Sequence, residues 1–192
     1  MSVSGYVLVG GASRRMGRDK ALLGYTGKPL VLTVAAAVRD ATGNVSLLGD
    51  PVRYGHLGLP VIPDLISGQG PMSGLHAALN DASTAQTDWV LLVACDLPNL
   101  DAAFLRRLIE SADSTTKCVA AQSENGLEPL CAVYHRNTLG EVESALRESR
   151  LRMRDLLARL GATGIPAAER LVRNVNTVED WRLHLIEKER LS

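Results

Sequence analysis

Three short stretches of this sequence hold the residue types that phosphate and divalent-cation chemistry requires. In VGGASRRMGRDK, residues 9–20, Gly10 and Gly11 follow an apolar run and precede Arg14, Arg15, Arg18 and Lys20, arranged around Gly17. Glycines lack a Cβ and let backbone N–H groups approach an anion, while arginine and lysine heads add charge-assisted bonds to phosphate oxygens. The stretch contains no G-x-x-x-x-G-K-[ST], and Gly10-Gly11-Ala12 does not begin a G-x-G-x-x-G turn. Neither the P-loop nor the dinucleotide fingerprint therefore accounts for it. In LLVACDLP, Asp96 directly follows an apolar run and offers a hard oxygen ligand for Mg²⁺. In VIPDLISGQGPMSGLHAAL, Asp64 ends a third apolar run, and Gly68, Gly70 and Gly74 permit a loop to pass close to a flat or phosphorylated ligand. Each stretch taken alone also has a purely structural reading. These are a glycine turn carrying solvated arginines, Asp96 as a cap or turn residue before Pro98, and Pro71 opening a helix after a glycine turn.

The elements that must hold these residues follow from the apolar pattern. Runs suited to buried strands occur at residues 6–9, 45–48, 61–62, 89–94, 118–121 and 130–134. Helical periodicity lies between several of them: 30–41 after Lys28-Pro29 and ended by Gly43, 71–82 after Gly70, and 100–112 with Asp101 as a cap. Parallel strands need long crossovers, so the alternation predicts a three-layer α/β/α fold with a mainly parallel sheet. After Cys118, the segment KCVAAQSENGLEPLCAVYH reads as two strands around Glu124-Asn125-Gly126, an antiparallel hairpin in the second half. Residues 138–160 are expected to be helical with a break near Ser149, and residues 178–189 to form a charged terminal helix. No linker, repeat or low-complexity tract divides the 192 residues, so the expectation is one domain. Its first half would span about 1–115, and the changed second half, about 116–192, would be an elaboration of the same domain. In open parallel sheets ligands collect beyond the carboxyl ends of the strands, where all three stretches fall.

Composition excludes several classes. Lysine plus arginine equals aspartate plus glutamate at 21 each, so no global field favours nucleic acid or an anionic membrane, and an anion site must be local. The three cysteines, Cys95, Cys118 and Cys131, have no C-x-x-C spacing and suggest neither a disulfide framework nor a zinc site. His56, His76, His135 and His184 show no metal-ligand spacing. No leader-like start and no apolar run of membrane-spanning length is evident, so a soluble, cytoplasmic protein is expected. Arg147, Arg150, Arg152 and Arg154 form a second basic concentration diluted by Glu148 and Asp155. It reads as a solvated helix face, the sharper alternative being contact with an acceptor phosphate or a docking patch for a partner.

The ordered set LVGGASRRMGRDK, GKPL, VIPD, GPMSGLHAAL, CDLP and NVNT resembles the molybdenum cofactor guanylyltransferase (MobA-like) family over nearly the whole chain. The resemblance implies a Rossmann-like nucleotidyltransferase fold. It implies Mg²⁺-dependent transfer of GMP from GTP to the terminal phosphate of the molybdopterin cofactor, with release of pyrophosphate. By motif, Leu8, Val9, Gly10 and Gly11 would line the guanine and ribose-phosphate end of GTP, and Lys20 would meet the phosphates. Asp64 would help recognise the nucleoside, Asp96 would hold the Mg²⁺, and Arg14 or Arg15 would contact phosphate. Asn174 and Asn176 of NVNT would lie near the pterin, with helix capping before Val178 as the competing reading. Implied partners are GTP, the molybdopterin cofactor, and cofactor delivery proteins or molybdoenzymes downstream.

The chemistry is attack of an acceptor phosphate oxygen on the α-phosphorus. Both reactants are anions, so the site must supply positive charge and orientation more than a nucleophile. Lys20, Arg15 and Asp96 with its metal are the catalytic set this implies, and Cys95 is expected to be a small buried strand-end residue. A cytidylyltransferase, another nucleotidyltransferase, or a catalytically silent nucleotide-sensing or cofactor-delivery module are the alternatives. Gly10-Gly11, GPMSGLHAAL and CDLP lean toward guanylyl transfer.

Overall fold

A computed structural model describes residues 1–10, 19–25, 28–175, 180 and 186. Its organising element is a seven-stranded sheet. The strands are β1 (Val3–Leu8), β4 (Ser46–Leu48), β5 (Val61–Ile62), β6 (Trp89–Ala94), β7 (Cys118–Ser123), β8 (Gly126–His135) and β9 (Thr163–Pro166), in the order β5-β4-β1-β6-β8-β7-β9. A separate two-residue ladder pairs β2 (Gly24–Tyr25) with β3 (Lys28–Pro29). All pairs in the large sheet are parallel except β6–β8 and β7–β8, so β8 alone runs against the rest. The chain winds outward from β1 to β4 and β5, then returns to place β6 on the other side of β1. That reversal makes the carboxyl ends of β1 and β6 a topological switch point, where such sheets bind ligands.

The all-apolar run of β6 is explained by cover on both faces. Trp89, Leu91 and Val93 enter one core with Val31, Val34 and Val38 of α1 (Leu30–Thr42) and Phe104, Leu105 and Leu108 of α4 (Ala102–Glu110). Val90 and Leu92 enter the other. That second core takes Leu75 and Leu79 of α3 (Pro71–Thr84), Val142 of α5 (Leu139–Arg147) and Leu156, Leu157 and Leu160 of α6 (Met153–Leu160). The expected three layers are thus present, with α1 and α4 on one side and α3, α5 and α6 on the other.

The local signals act as their chemistry requires. Gly43 ends α1 in the left-handed region, Asp101 caps α4 by accepting from the Phe104 N–H at 2.8 Å, and Ser149, at φ +54°, separates α5 from α6. Pro29 immediately precedes α1 as its cap residue, as expected, and also closes the short ladder of β2 and β3. Gly74 differs from expectation. Its missing Cβ lets α3 settle against Leu8 of β1, so it serves helix–strand packing. Five short elements were not expected: β2, β3, α2 (Pro51–Tyr54), β9 and α7 (Glu169–Val172). The terminal helix expected over 178–189 lies outside the described residues, apart from Asp180 and Ile186. Among the described residues no helix is long and apolar enough to cross a membrane.

Close packing under β1 gives a stability prediction. A Cβ on Gly5 would lie 2.5 Å from Val38 Cγ1, 2.7 Å from Thr42 Oγ1 and 2.8 Å from the Asn44 carbonyl oxygen. Gly5→Ala is expected to destabilise the protein by about 1–3 kcal/mol, read as a lower urea midpoint at constant slope.

Candidate active site

Lys20 and Asp96 meet at the switch point. Asp19 caps the short helical turn Lys20–Leu22, its Oδ1 accepting from the Ala21 N–H at 3.1 Å. Its other oxygen accepts from the Tyr54 hydroxyl at 2.7 Å and pairs with Arg53 Nε at 2.8 Å. Burial, followed by the hydrogen bond to Asp19, raises the Tyr54 phenol well above its ordinary value, so it stays a donor. The turn is thereby tied to α2, and Lys20 Nζ donates to Asp96 Oδ2 at 2.6 Å. Asp96 sits in the turn after β6. Cys95 N–H donates to the Leu8 carbonyl at 3.1 Å, which clamps the ends of β1 and β6 together.

The two oxygens of Asp96 have different surroundings. Oδ2 carries the lysine, whereas Oδ1 is buried and accepts no hydrogen bond among the described residues. A buried carboxylate oxygen without a partner is costly, and a ligand at that atom would remove the cost. Among the described residues no group of three or more His, Cys, Asp or Glu could hold a metal ion. One carboxylate is nonetheless a donor set that suits Mg²⁺, which retains waters and takes its remaining ligands from substrate phosphates.

Two cavities flank this pair along the carboxyl edge of the sheet. One, of about 380 Å³, lies toward β4 and β5 and is lined by Val9, Gly10, Gly49, Tyr54, Asp64 and Gly68. Gly10 stands there at φ +84°, a conformation that strains any residue with a Cβ. Asp64 is exposed on this rim, yet partial desolvation raises its carboxyl above the ordinary value. Leu8 turns instead toward Gly74 in the second core. The other cavity, of about 220 Å³, lies toward β8 and is lined by Asp96, Leu97, Glu128, Pro129, Arg154 and Asn174, among others. Val175 N–H donates to the Asp96 carbonyl at 2.9 Å, which docks Asn174 beside the turn.

The structure thus gathers Val9, Gly10, Lys20, Asp64, Asp96 and Asn174 along one edge. Gly11, Arg14, Arg15 and Asn176 lie outside the described residues. Sequence reasoning passed over Asp19, Arg53 and Tyr54, whose contacts span 34 or 35 residues and leave no local pattern. The second basic concentration divides: Arg150 pairs with Glu148 at 2.8 Å, whereas Arg154 lines the smaller cavity.

Cys95 is buried, and desolvation, followed by the Asp96 charge, pushes its thiol up to about 12. A thiol of that kind stays protonated and unreactive at neutral pH. Cys95→Ala is expected to keep transfer within about threefold of the parent, and iodoacetamide at pH 7.5 should leave Cys95 unlabelled in the folded protein. Loss of transfer in that variant with an unchanged melting curve would contradict this.

Comparisons with known proteins agree with the geometry. The sequence signature of the MobA-like NTP transferase domain matches residues 5–164. The chain is 36% identical over 156 residues to a probable molybdenum cofactor guanylyltransferase of Pelotomaculum thermopropionicum, covering 81% of this chain and 74% of that one. It is 34% identical over 185 residues to the molybdenum cofactor guanylyltransferase of Rhodobacter capsulatus, covering 94% and 93%. The fold superposes on molybdopterin-guanine dinucleotide biosynthesis protein A of Archaeoglobus fulgidus with a TM-score of 0.82, over 97% of this chain and 99% of that one at 23% identity. Signature and relatives agree, and the chain belongs to the MobA-like NTP transferase domain family of enzymes.

Proposed function

We propose that this protein transfers GMP from GTP to the terminal phosphate of the molybdopterin cofactor, forming the guanine dinucleotide and pyrophosphate. The observation that carries the reading is the Lys20–Asp96 pair between two cavities, one on each side of the switch point. The names of the relatives supply the base and the acceptor. In this reading residues 1–115 bind the nucleotide and residues 116–192 complete the acceptor side.

Val9 and Gly10 admit the nucleoside end of GTP to the larger cavity, and Asp64 at its rim accepts hydrogen bonds from the nucleoside. Lys20, held by the turn that Asp19 caps, faces the phosphates and offsets charge on the departing pyrophosphate. When GTP binds, the Lys20 ammonium exchanges part of its contact with Asp96 for phosphate oxygens. Arg14, Arg15 and Gly11 are proposed on the phosphate side from the family motif alone. Asp96 would hold Mg²⁺ through Oδ1, and the bound ion would supply charge neutralisation at the phosphates. Asn174, and by motif Asn176, lie near the pterin in the smaller cavity, from which the acceptor phosphate approaches. That phosphate is already ionised near neutral pH, so the chain need supply no nucleophile or strong base. Molybdenum, where present, is cargo held by the acceptor's own sulfurs.

The test is pyrophosphate release with Mg²⁺, GTP and reduced molybdopterin cofactor, with CTP run in parallel. Release that requires GTP and the acceptor together supports the reading. Preference for CTP would reassign the base, and nucleotide binding without release would favour a silent binding module.

A further inference from the structure

Beyond the residues matched by motif, the smaller cavity contains two side chains of opposite hydrogen-bonding character. Glu128 stands on β8 and lines this cavity together with Asp96. Its Oε1 accepts from the Ser123 hydroxyl at 2.7 Å, and that hydroxyl oxygen in turn accepts from the Asn125 N–H at 3.1 Å. The hairpin turn therefore holds the carboxylate in place. Arg154, exposed on the first turn of α6, lines the same cavity and makes no ion pair among the described residues. Pro129, Leu130, Leu97 and Ala94 supply apolar wall between the polar groups.

An ionised carboxylate only accepts hydrogen bonds, and a guanidinium only donates them. A ligand matched to both carries an anion at one place and N–H donors at another. We propose that Glu128 and Arg154 set acceptor specificity, Arg154 meeting the acceptor's phosphate monoester and Glu128 accepting from ring N–H groups of its reduced heterocycle. The inference rests on the guanylyl-transfer reading and assigns that reaction two further residues.

The test compares Arg154→Gln and Glu128→Gln with the parent, and with Arg152→Gln, an exposed neighbour that does not line the cavity. Initial rates are measured against reduced molybdopterin cofactor at saturating Mg-GTP, and then against GTP at fixed acceptor. Each cavity substitution is expected to raise the acceptor KM by at least about tenfold, with GTP KM and melting temperature unchanged, because a charge-assisted hydrogen bond is lost. Arg152→Gln should behave as the parent. Transfer by the parent with unchanged acceptor KM in both cavity variants would overturn the inference and leave guanylyl transfer standing. Equal rises in GTP KM would overturn it too, since the cavity would then serve the nucleotide. Absence of transfer by the parent would overturn the functional reading and this inference with it.

Discussion

Asp96→Asn is expected to lower kcat for guanylyl transfer by about a hundredfold to a thousandfold, the loss typical when a group that stabilises transition-state charge is removed. The amide preserves shape, so the turn after β6 and the Val175 contact to the Asp96 carbonyl should persist. What changes is charge. Oδ1, buried and without a partner among the described residues, is the atom offered to Mg²⁺, and a neutral amide oxygen binds a hard cation far more weakly. Lys20 at the same time loses its 2.6 Å counter-charge and becomes more available to phosphate. GTP KM should therefore fall or stay level while kcat collapses. Steady-state rates across a Mg²⁺ titration check this, and near-normal turnover at saturating Mg²⁺ would remove Asp96 from the metal role.

Lys20→Met is expected to reduce kcat by about a hundredfold, with a smaller effect on GTP KM, because charge accumulates on the pyrophosphate mainly in the transition state. A rise in KM alone, at constant kcat, would show that Lys20 binds substrate and transition state equally. Removing the lysine also strands Asp96, whose side chain is only 16% exposed, so a stability loss of about 1–3 kcal/mol should accompany the kinetic one. The two effects separate in the double variant. Lys20→Met with Asp96→Asn should recover much of the stability, since no stranded charge remains, and should recover no turnover.

Much of the layout was legible in the residues, for identifiable reasons. The continuous apolar run at 89–94 announces a strand covered on both faces, and Asn125-Gly126 announces the hairpin that sends β8 against its neighbours. Asp96 and Lys20 were legible as charges beyond strand ends, although they stand 76 positions apart in the sequence. β9 was not legible. Thr163–Pro166 contains a glycine and a proline, and it is a strand only because the edge of β7 offers parallel partners from Val119 to Gln122. The Asp19–Tyr54 bond was likewise invisible, since nothing near Tyr54 signals a carboxylate 35 residues earlier. Arg154 could not be separated from Arg147, Arg150 and Arg152 by spacing. Only the packing of α6 beside β8 brings it to the cavity that Asp96 lines.

In the proposed reaction the α-phosphoryl group of GTP, with its guanosine, passes to an acceptor phosphate at the edge shared by Lys20 and Asp96. Its most direct test uses GTP labelled at the alpha phosphate, incubated with Mg²⁺, the protein and reduced molybdopterin cofactor, followed by separation of products. Label is expected in a guanine dinucleotide of the cofactor, with unlabelled pyrophosphate in equal amount, and both are expected to be lost with Asp96→Asn. Label recovered only as GMP or GTP, or a labelled dinucleotide formed equally well by Asp96→Asn, would contradict that reaction.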